Sequence, residues 1–304
     1  MKTCVFAPRA QYFFMFSGFF GSMRLVIASF CALLGWVALA PATTARAQSR
    51  PPGPTSAPAL EQGAPVRAPE EAGVTGRDLR LNGLHGRMRI ERRGADLVLA
   101  RLTLAGERAT RRGEACEAEV SDGALALKPL RRHEGLRRYE ASLPGCSIAL
   151  DLLAGAVQAS VADVHAGAAQ AGACLLKSAD CKVVVAGVWG PPDEAIGEAE
   201  IARIERARAA AERNAMANYR ALVAAAGKDR DKVRVAAAEQ AGFSSRRSEH
   251  CGDYAGEERH GFCASRVTEA WAVALRARLN PDSFEAEEAV AAARRPGARA
   301  AAAR

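Results

Sequence analysis

An apolar segment near the N-terminus constrains the fold most, because it decides the compartment in which the rest of the chain folds. Residues 25–40 form an apolar run of 16 residues, and the tripeptide 45–47 (Ala-Arg-Ala) matches a small-x-small cleavage site. This pattern predicts a secretory signal peptide over 1–47, cut between Ala47 and Gln48. A membrane anchor is the alternative reading, but a spanning helix needs roughly 20 apolar residues.

The leader contains a second candidate start. Met23-Arg24 begins a conventional signal peptide, whereas the aromatic-rich residues 1–22 are more than such a peptide needs. Cys31 follows Phe30 rather than a small residue, so we expect no lipid anchor at that cysteine. The mature chain is therefore expected to be periplasmic or secreted, without a stable membrane span.

Export changes how the cysteines are interpreted. Two of the eight cysteines precede the predicted cleavage site, and the six that remain are an even number in an oxidising compartment. Disulfides are the expected state, although six cysteines allow 15 connectivities. We favour the sequential pairing, because each pair then falls inside one apparent structural unit. The expected pairs are Cys116 with Cys146, Cys174 with Cys181, and Cys251 with Cys263.

A zinc site is the alternative for the last two cysteines. His250-Cys251 and His260-x-x-Cys263 supply two histidines and two cysteines. Their spacing matches no common zinc finger, and thiols of exported proteins tend to oxidise. We therefore expect no metal and no other cofactor.

The charge balance gives no sign of a nucleic-acid partner. The chain has 42 basic and 34 acidic residues, and four of the basic ones lie before the cleavage site. The mature chain thus keeps 38 basic and 34 acidic residues, a net charge of +4. Arg and Glu alternate along the chain, whereas nucleic-acid binding requires basic residues clustered on one face.

The mature chain divides by composition and periodicity. Residues 48–75 are rich in Pro, Ala and Gly, which predicts a disordered tether. A β-rich domain is expected over 76–187 and a helical domain over 195–280, with an interdomain hinge at 187–192. An Ala/Arg-rich tail over 281–304 carries no functional signal.

Period-two alternation between turn residues predicts strands in the β-rich domain. Seven or so short strands are typical of a small sandwich or open barrel. The expected strands cover 88–92, 97–104, 116–120, 124–128, 137–142, 147–153 and 156–161.

The period becomes helical after residue 195. Three helices are predicted, at about 196–227, 231–253 and 261–280, and the first and third end at Gly227 and before Pro281. Many inward positions are Ala, so the predicted core is thin. The fold class is therefore α+β, a small all-β domain followed by a disulfide-stapled three-helix domain.

A family resemblance lies in the last two predicted helices. The run Gln240-x-x-Phe243-x-x-x-Arg247-x-x-x-Cys251, a Gly-containing loop, and then Cys263-x-x-x-x-Thr268 resembles the N-terminal domain of the LprI-type lysozyme inhibitors. The resemblance covers about 196–280. Tyr219 with Leu222 is similar to the Tyr-x-x-Leu of the family's preceding helix. Phe243 stands where the family usually has Trp, Met216 where it usually has Asn, and Trp271 where Arg is common.

Two interpretations of the motif remain open. Gln240, Phe243, Arg247 and Cys251 share one helical face, where Gln240 and Arg247 either hydrogen-bond neighbouring helices or border a partner-binding groove. No nucleophile, metalloprotease or phosphate-loop motif accompanies the five scattered histidines, so we expect no catalysis.

The functional expectation is an exported envelope module that binds a protein partner. The resemblance implies a more specific alternative, in which the domain inhibits lysozyme or a related wall hydrolase by occluding its cleft. Charge argues against that alternative for animal lysozymes, which are basic. Residues 195–280 hold 15 basic and 12 acidic residues, and like charges slow association.

Overall fold

The computed structural model describes residues 63–120, 124–162, 172–282 and 286. The predicted signal peptide with its cleavage site and second start, the tether as far as residue 62, and nearly all of the predicted tail lie outside these residues. Within the described part, no helix is long and apolar enough to cross a membrane. A large antiparallel sheet is followed by helices, so the class is α+β.

Twelve strands of the described residues pair antiparallel in one sheet; ten follow the order β10-β11-β3-β2-β1-β12-β9-β8-β7-β6, and β4 and β5 both pair with β3. Each expected strand coincides with one of them, and β1, β6, β10, β11 and β12 were not expected. Their bounds are β1 Asp78–Leu81, β2 His85–Arg93, β3 Asp96–Arg108, β4 Ala115–Glu119, β5 Leu125–Ala126, β6 Lys128–His133, β7 Leu136–Leu143, β8 Cys146–Leu153, β9 Ala156–Val161, β10 Ala173–Leu176, β11 Cys181–Val184 and β12 Gly187–Gly190.

The longest strand, β3, organises the pairing. One of its edges binds β2 and β11, and the other binds β4 and β5. The chain over 125–133 pairs first with β3, through β5, and then with β7, through β6. Strand pairs therefore run from β3 through β12 to β7 and β6, and the chain connection between β6 and β5 completes the circuit back to β3.

The segment predicted as an interdomain hinge is a strand inside the sheet. β12 pairs with β1 on one side and β9 on the other, and Trp189 is fully buried in the sheet core. The Trp189 Nε1–H donates to the Val185 carbonyl at 3.0 Å. The hinge prediction is wrong because it treated Gly and Pro as linker signals, whereas the Val-Trp pair between them packs in the core.

Among the described residues, four α-helices with defined bounds follow the sheet, and the three long ones lie where the periodicity predicted helices. Gly227, at φ 55°, ends the first, and the Asp229 side chain accepts the Lys232 N–H at the start of the second. The turn before β7 approaches the last helix so closely that a Cβ on Gly135 would lie 2.9 Å from Ala277 Cβ. The helices are α1 Glu198–Ala226, α2 Arg230–Cys251, α3 Glu257–His260 and α4 Phe262–Leu279.

Sheet and helices share a core. Leu136, Leu153, Ala156 and Val188 of the sheet pack with the buried side chains of the helices, which include Ile204. All described residues fall within one compact unit, 54–304.

An extended strap over 63–70 runs along the helices, where a disordered tether was expected. Ala64 N–H donates to Asn218 Oδ1 at 2.6 Å, and the Asn218 amide donates to the Ala272 carbonyl at 3.0 Å. Val74, just beyond the strap, is fully buried in the sheet core. The tether prediction therefore fails for residues 63–75, because Pro and Ala composition does not reveal hydrogen bonds to a distant helix.

Glu71 follows the strap and is buried beside the sheet. The Tyr139 hydroxyl and the Arg92 guanidinium both donate to its carboxylate. Burial favours the neutral acid, but these two hydrogen bonds outweigh it and hold the pKa of the Glu71 carboxyl below its ordinary value.

The six cysteines after residue 47 form three disulfides, with a connectivity that differs from the sequential one. Cys251 is bonded to Cys263 as expected. The expected pairs 116–146 and 174–181 are wrong. Cys174 and Cys181 lie on adjacent strands, β10 and β11, but β11 pairs with one edge of β3 while β4, which carries Cys116, pairs with the other edge of the same residues. The observed sheet disulfides are Cys116–Cys181 and Cys146–Cys174.

Candidate functional site

The motif residues meet where α2 crosses α4. Phe243 of α2 stacks on Trp271 of α4, with ring centroids 5.1 Å apart and an interplanar angle of 10°. Stacked aromatic pairs contribute roughly 0.5–1.5 kcal/mol beyond the area that they bury. The stack therefore anchors a helix, α2, that buries little else than Phe243 and Cys251.

Gln240 holds this stack in place. Its Oε1 accepts the indole Nε1–H of Trp271 at 3.1 Å. A buried indole N–H requires such a partner, because an unpaired donor costs free energy. The contact fits the interpretation of Gln240 as a residue that hydrogen-bonds a neighbouring helix.

Arg247 ties α2 to two other helices. Its Nη1 donates to Thr268 Oγ1 of α4 at 3.1 Å and lies 3.5 Å from Glu212 Oε1 of α1. The guanidinium carbon also lies 5.5 Å from the Phe243 ring centroid. The side chain is only 20% exposed, so most of it packs between helices while its edge reaches the groove described next.

A groove of about 330 Å³ separates these helices from the sheet. Three arginines surround its aromatic floor, since Arg246 and Arg278 lie 5.7 Å and 5.6 Å from the Trp271 ring centroid and Arg247 lies over Phe243. Guanidinium groups are attracted to aromatic faces. The sheet contributes His133, Leu136, Asp151 and Gln158 to the opposite wall.

The acidic side chains of the groove have arginine partners. Asp151, 8% exposed, accepts two hydrogen bonds from Arg138, at 2.8 and 2.7 Å. This bidentate pairing raises the pKa of the Arg138 guanidinium. Arg278 binds both Glu134 and Glu239. Arg246, in contrast, donates to the Glu239 carbonyl and has no carboxylate partner among the described residues.

The Cys251–Cys263 disulfide fixes the end of α2 to the start of α4. The Tyr254 hydroxyl, in the loop that it closes, donates to the Pro191 carbonyl at 2.8 Å, and burial raises the pKa of that phenol. Glu257 accepts the N–H groups of Cys263 and Ala264 at 2.9 and 2.8 Å and so caps α4. Burial nevertheless raises the pKa of the Glu257 carboxyl.

His260, from the zinc alternative, is buried in the same loop. Its Nδ1 accepts the Phe262 N–H at 3.1 Å, and its Nε2 lies 3.0 Å from the Ala255 carbonyl. With these partners, Nδ1 acts as an acceptor and Nε2 as a donor. In the described part of the chain, no three His, Cys, Asp or Glu side chains are arranged to hold a metal ion.

A larger cavity, of about 990 Å³, lies at the start of α1 and contains no motif residue. The basic and acidic residues that line it are equal in number, so charge favours no class of ligand. The charged residues are Arg77, Arg203 and Arg266 with Glu70, Glu198 and Glu200.

Sequence reasoning found only the helical side of the groove. Gln240, Phe243, Arg247 and Thr268 come together as one cluster, and Tyr219 lies half-buried in the same core. The sheet wall was missed because it comes from β6 to β9, which pack against helices far along the chain. Arg246 and Trp271 could have been found from the sequence, since they lie close to motif positions.

Comparison of the chain with protein-family models, curated proteins and solved structures gives no match.

Proposed function

We propose that this chain is an exported envelope module that binds a protein partner in the groove between α2 and the sheet, and that it catalyses no reaction. The observation that carries the proposal is the Phe243–Trp271 stack with three arginines around it. Aromatic residues and arginine are the residue types most enriched at protein-interface hot spots.

The architecture supports a rigid binding surface. The circuit of strand pairs supports a barrel for the β-rich region, with the helices packed over one side as a bundle. Disulfides support the periplasmic or extracellular location, because they persist in oxidising compartments. Neither wall of the groove depends on loop residues alone, which favours a preformed site.

Site-specific cross-linking tests the groove. A photo-reactive residue at position 246, inside the groove, is expected to give a discrete adduct in the envelope, and one at position 234, on the exposed side of α2, is not. Purified wild-type protein should compete the adduct away, whereas Arg246→Glu protein should not. An adduct that both proteins compete equally would remove the groove from the interface.

Lysozyme inhibition is the second candidate, favoured by the resemblance of Gln240, Phe243, Arg247, Cys251, Cys263 and Thr268 to the LprI-type motif. Retention on immobilised lysozyme at low and moderate salt, together with a cell-wall lysis assay, tests it. Retention that survives moderate salt and blocks lysis would assign lysozyme as the partner. Retention only at low salt, without inhibition, would leave the general binding module.

A further inference from the structure

The outward face of α1 carries a row of arginines. Arg206, Arg213 and Arg220 are seven residues apart, so they lie on one side of the helix over roughly 21 Å. They lie opposite the buried side, which includes Ile204 and Ala211, and all three are exposed. We call these three residues the arginine ridge.

The ridge differs from the rest of α1 in having no acidic partner. Arg203 pairs with Glu200 and Arg208 pairs with Glu212, as is usual at three- and four-residue spacing. The ridge arginines make no ion pair or hydrogen bond with any described residue. The positions between them are Ala209, Ala210, Met216 and Ala217, together with residues that face the flanks.

The strap extends this positive surface. Arg67, exposed in the strap, lies beside Ala207, Ala210 and Asn214 of α1, at the flank of the ridge. No ion pair to a described residue neutralises it. A fourth positive charge is thus held near the ridge by a segment whose backbone is hydrogen-bonded to α1.

We propose that the arginine ridge docks the protein on an anionic membrane surface by binding lipid phosphates. Guanidinium groups match phosphate oxygens in bidentate geometry, and a lipid surface requires no particular register along the ridge. A protein partner would require buried apolar anchors. The ridge has one large apolar side chain, Met216, which is 40% exposed.

The ridge and the groove are separate surfaces. No residue of α1 lines the groove, and the groove's arginines lie on α2 and α4. Loss of lipid binding would therefore leave partner binding intact, and the reverse also holds.

Vesicle co-sedimentation of the full chain tests the proposal. The probes are phosphatidylcholine vesicles and vesicles with about one-third phosphatidylglycerol, at low and moderate salt. Wild-type protein is expected to bind the anionic vesicles and to lose affinity as salt increases. The triple variant Arg206→Gln, Arg213→Gln, Arg220→Gln is expected to bind them about a hundred-fold more weakly, since each arginine contributes roughly five-fold.

A matched control instead removes three exposed arginines of the β-rich region that have no ion pair with a described residue, by Arg93→Gln, Arg101→Gln and Arg112→Gln. This variant should keep vesicle affinity within a few-fold of wild type. An equal loss of vesicle affinity in both variants would show that net charge causes the binding, and would overturn the proposal that the ridge binds lipid. Binding to neutral vesicles that the ridge variant retains would assign the contact to the apolar N-terminal segment. Ridge-dependent binding to immobilised polyglutamate but not to vesicles would overturn the lipid assignment in favour of an acidic protein.

Discussion

The sheet buries large side chains drawn from distant parts of the chain, whereas α1 and α2 bury few large side chains and leave most of the helical core to α4. Met88, Leu99, Leu150 and Trp189 are all at most 1% exposed in the sheet core. The buried residues of α1 include three alanines and an asparagine, and α2 buries only two side chains. Because burial stabilises in proportion to apolar area, the sheet core stabilises the fold more than α1 and α2 do.

This contrast indicates that the helices depend for their stability on the sheet, the strap and a disulfide. Their core is completed by Leu136, Leu153 and Val188 of the sheet, and the strap supplies a hydrogen bond to the buried Asn218. The Cys251–Cys263 disulfide links the end of α2 to the start of α4. The helical region therefore acquires its order from the sheet, the strap and the disulfide together.

The largest expected effect comes from the disulfide with the longest loop. Cys116 and Cys181 are 65 residues apart, and removing their link is expected to cost roughly 4.3 kcal/mol, against roughly 2.9 kcal/mol for Cys251 and Cys263. Denaturant unfolding of the two double Cys→Ala variants measures both values. A larger loss from the helical pair would reverse the ranking of the two regions.

Peptide mapping of the unreduced protein supplies the control for connectivity. Peptides that link Cys116 to Cys181 and Cys146 to Cys174 are expected, with essentially no free thiol in the denatured chain. Linked 116–146 and 174–181 peptides would restore the sequential scheme and remove the basis of the first ranking.

Leu153→Ala tests the dependence of the helices on the sheet. The side chain is fully buried in the shared core, so its truncation is expected to cost about 3 kcal/mol, within the usual 2–5 kcal/mol. Helix circular dichroism and Trp fluorescence should both shift, in one common transition. Leu84→Ala is the matched control, since Leu84 is 56% exposed and should change stability by less than about 0.5 kcal/mol. Two separate transitions would instead support independent domains.

The predicted and observed structures agree where the signal is local. Alternation placed β2, β3 and β7 to β9, and helical periodicity placed α1, α2 and α4 within a few residues, because Gly227 and Pro281 end their helices. The four-residue strands β1, β10, β11 and β12 are too short for a recognisable period. The local sequence therefore predicts where a strand or a helix lies, but not which other element it packs against.

The disulfides and the groove depend on contacts between residues far apart in sequence, which could not be predicted. Cys181 reaches Cys116 because β11 pairs with β3, a contact between strands far apart in sequence. Asp151 and Trp271 line the same groove because β8 packs against α4, an element far from it in sequence. Helical spacing put Gln240 and Arg247 on one face, but no spacing could place a strand opposite them.

Glu71 provides a pH test of the sheet side. Its folded pKa is lowered, so the carboxylate stabilises the protein above the unfolded pKa of about 4.3, and this contribution is lost as pH falls through the lower, folded value. Glu71→Gln is expected to cost about 1–3 kcal/mol at neutral pH, because charge-assisted hydrogen bonds are lost. The gap between variant and wild type should narrow below pH 4. A gap that is constant with pH would mean that the carboxylate's charge contributes nothing.

The smallest expected effect is local, at the start of α2. Asp229 accepts the Lys232 N–H at 3.1 Å, and this hydrogen bond lowers the pKa of the Asp229 carboxyl. The first half of α2 has little packing to replace the cap, since Val235 is 53% exposed. Asp229→Ala is therefore expected to speed amide exchange in the first turns of α2 while leaving exchange in α4 and the global unfolding transition unchanged. The wild-type protection should weaken in the same turns when the pH falls below the ordinary aspartate pKa, because the neutral acid is a weaker acceptor.

Asp231→Ala is the control, since Asp231 pairs only with exposed Arg234. If Asp229→Ala shifted the global transition as much as Leu153→Ala, α2 would be an integral part of the cooperative core, and the contrast between a self-supporting sheet and dependent helices would fail.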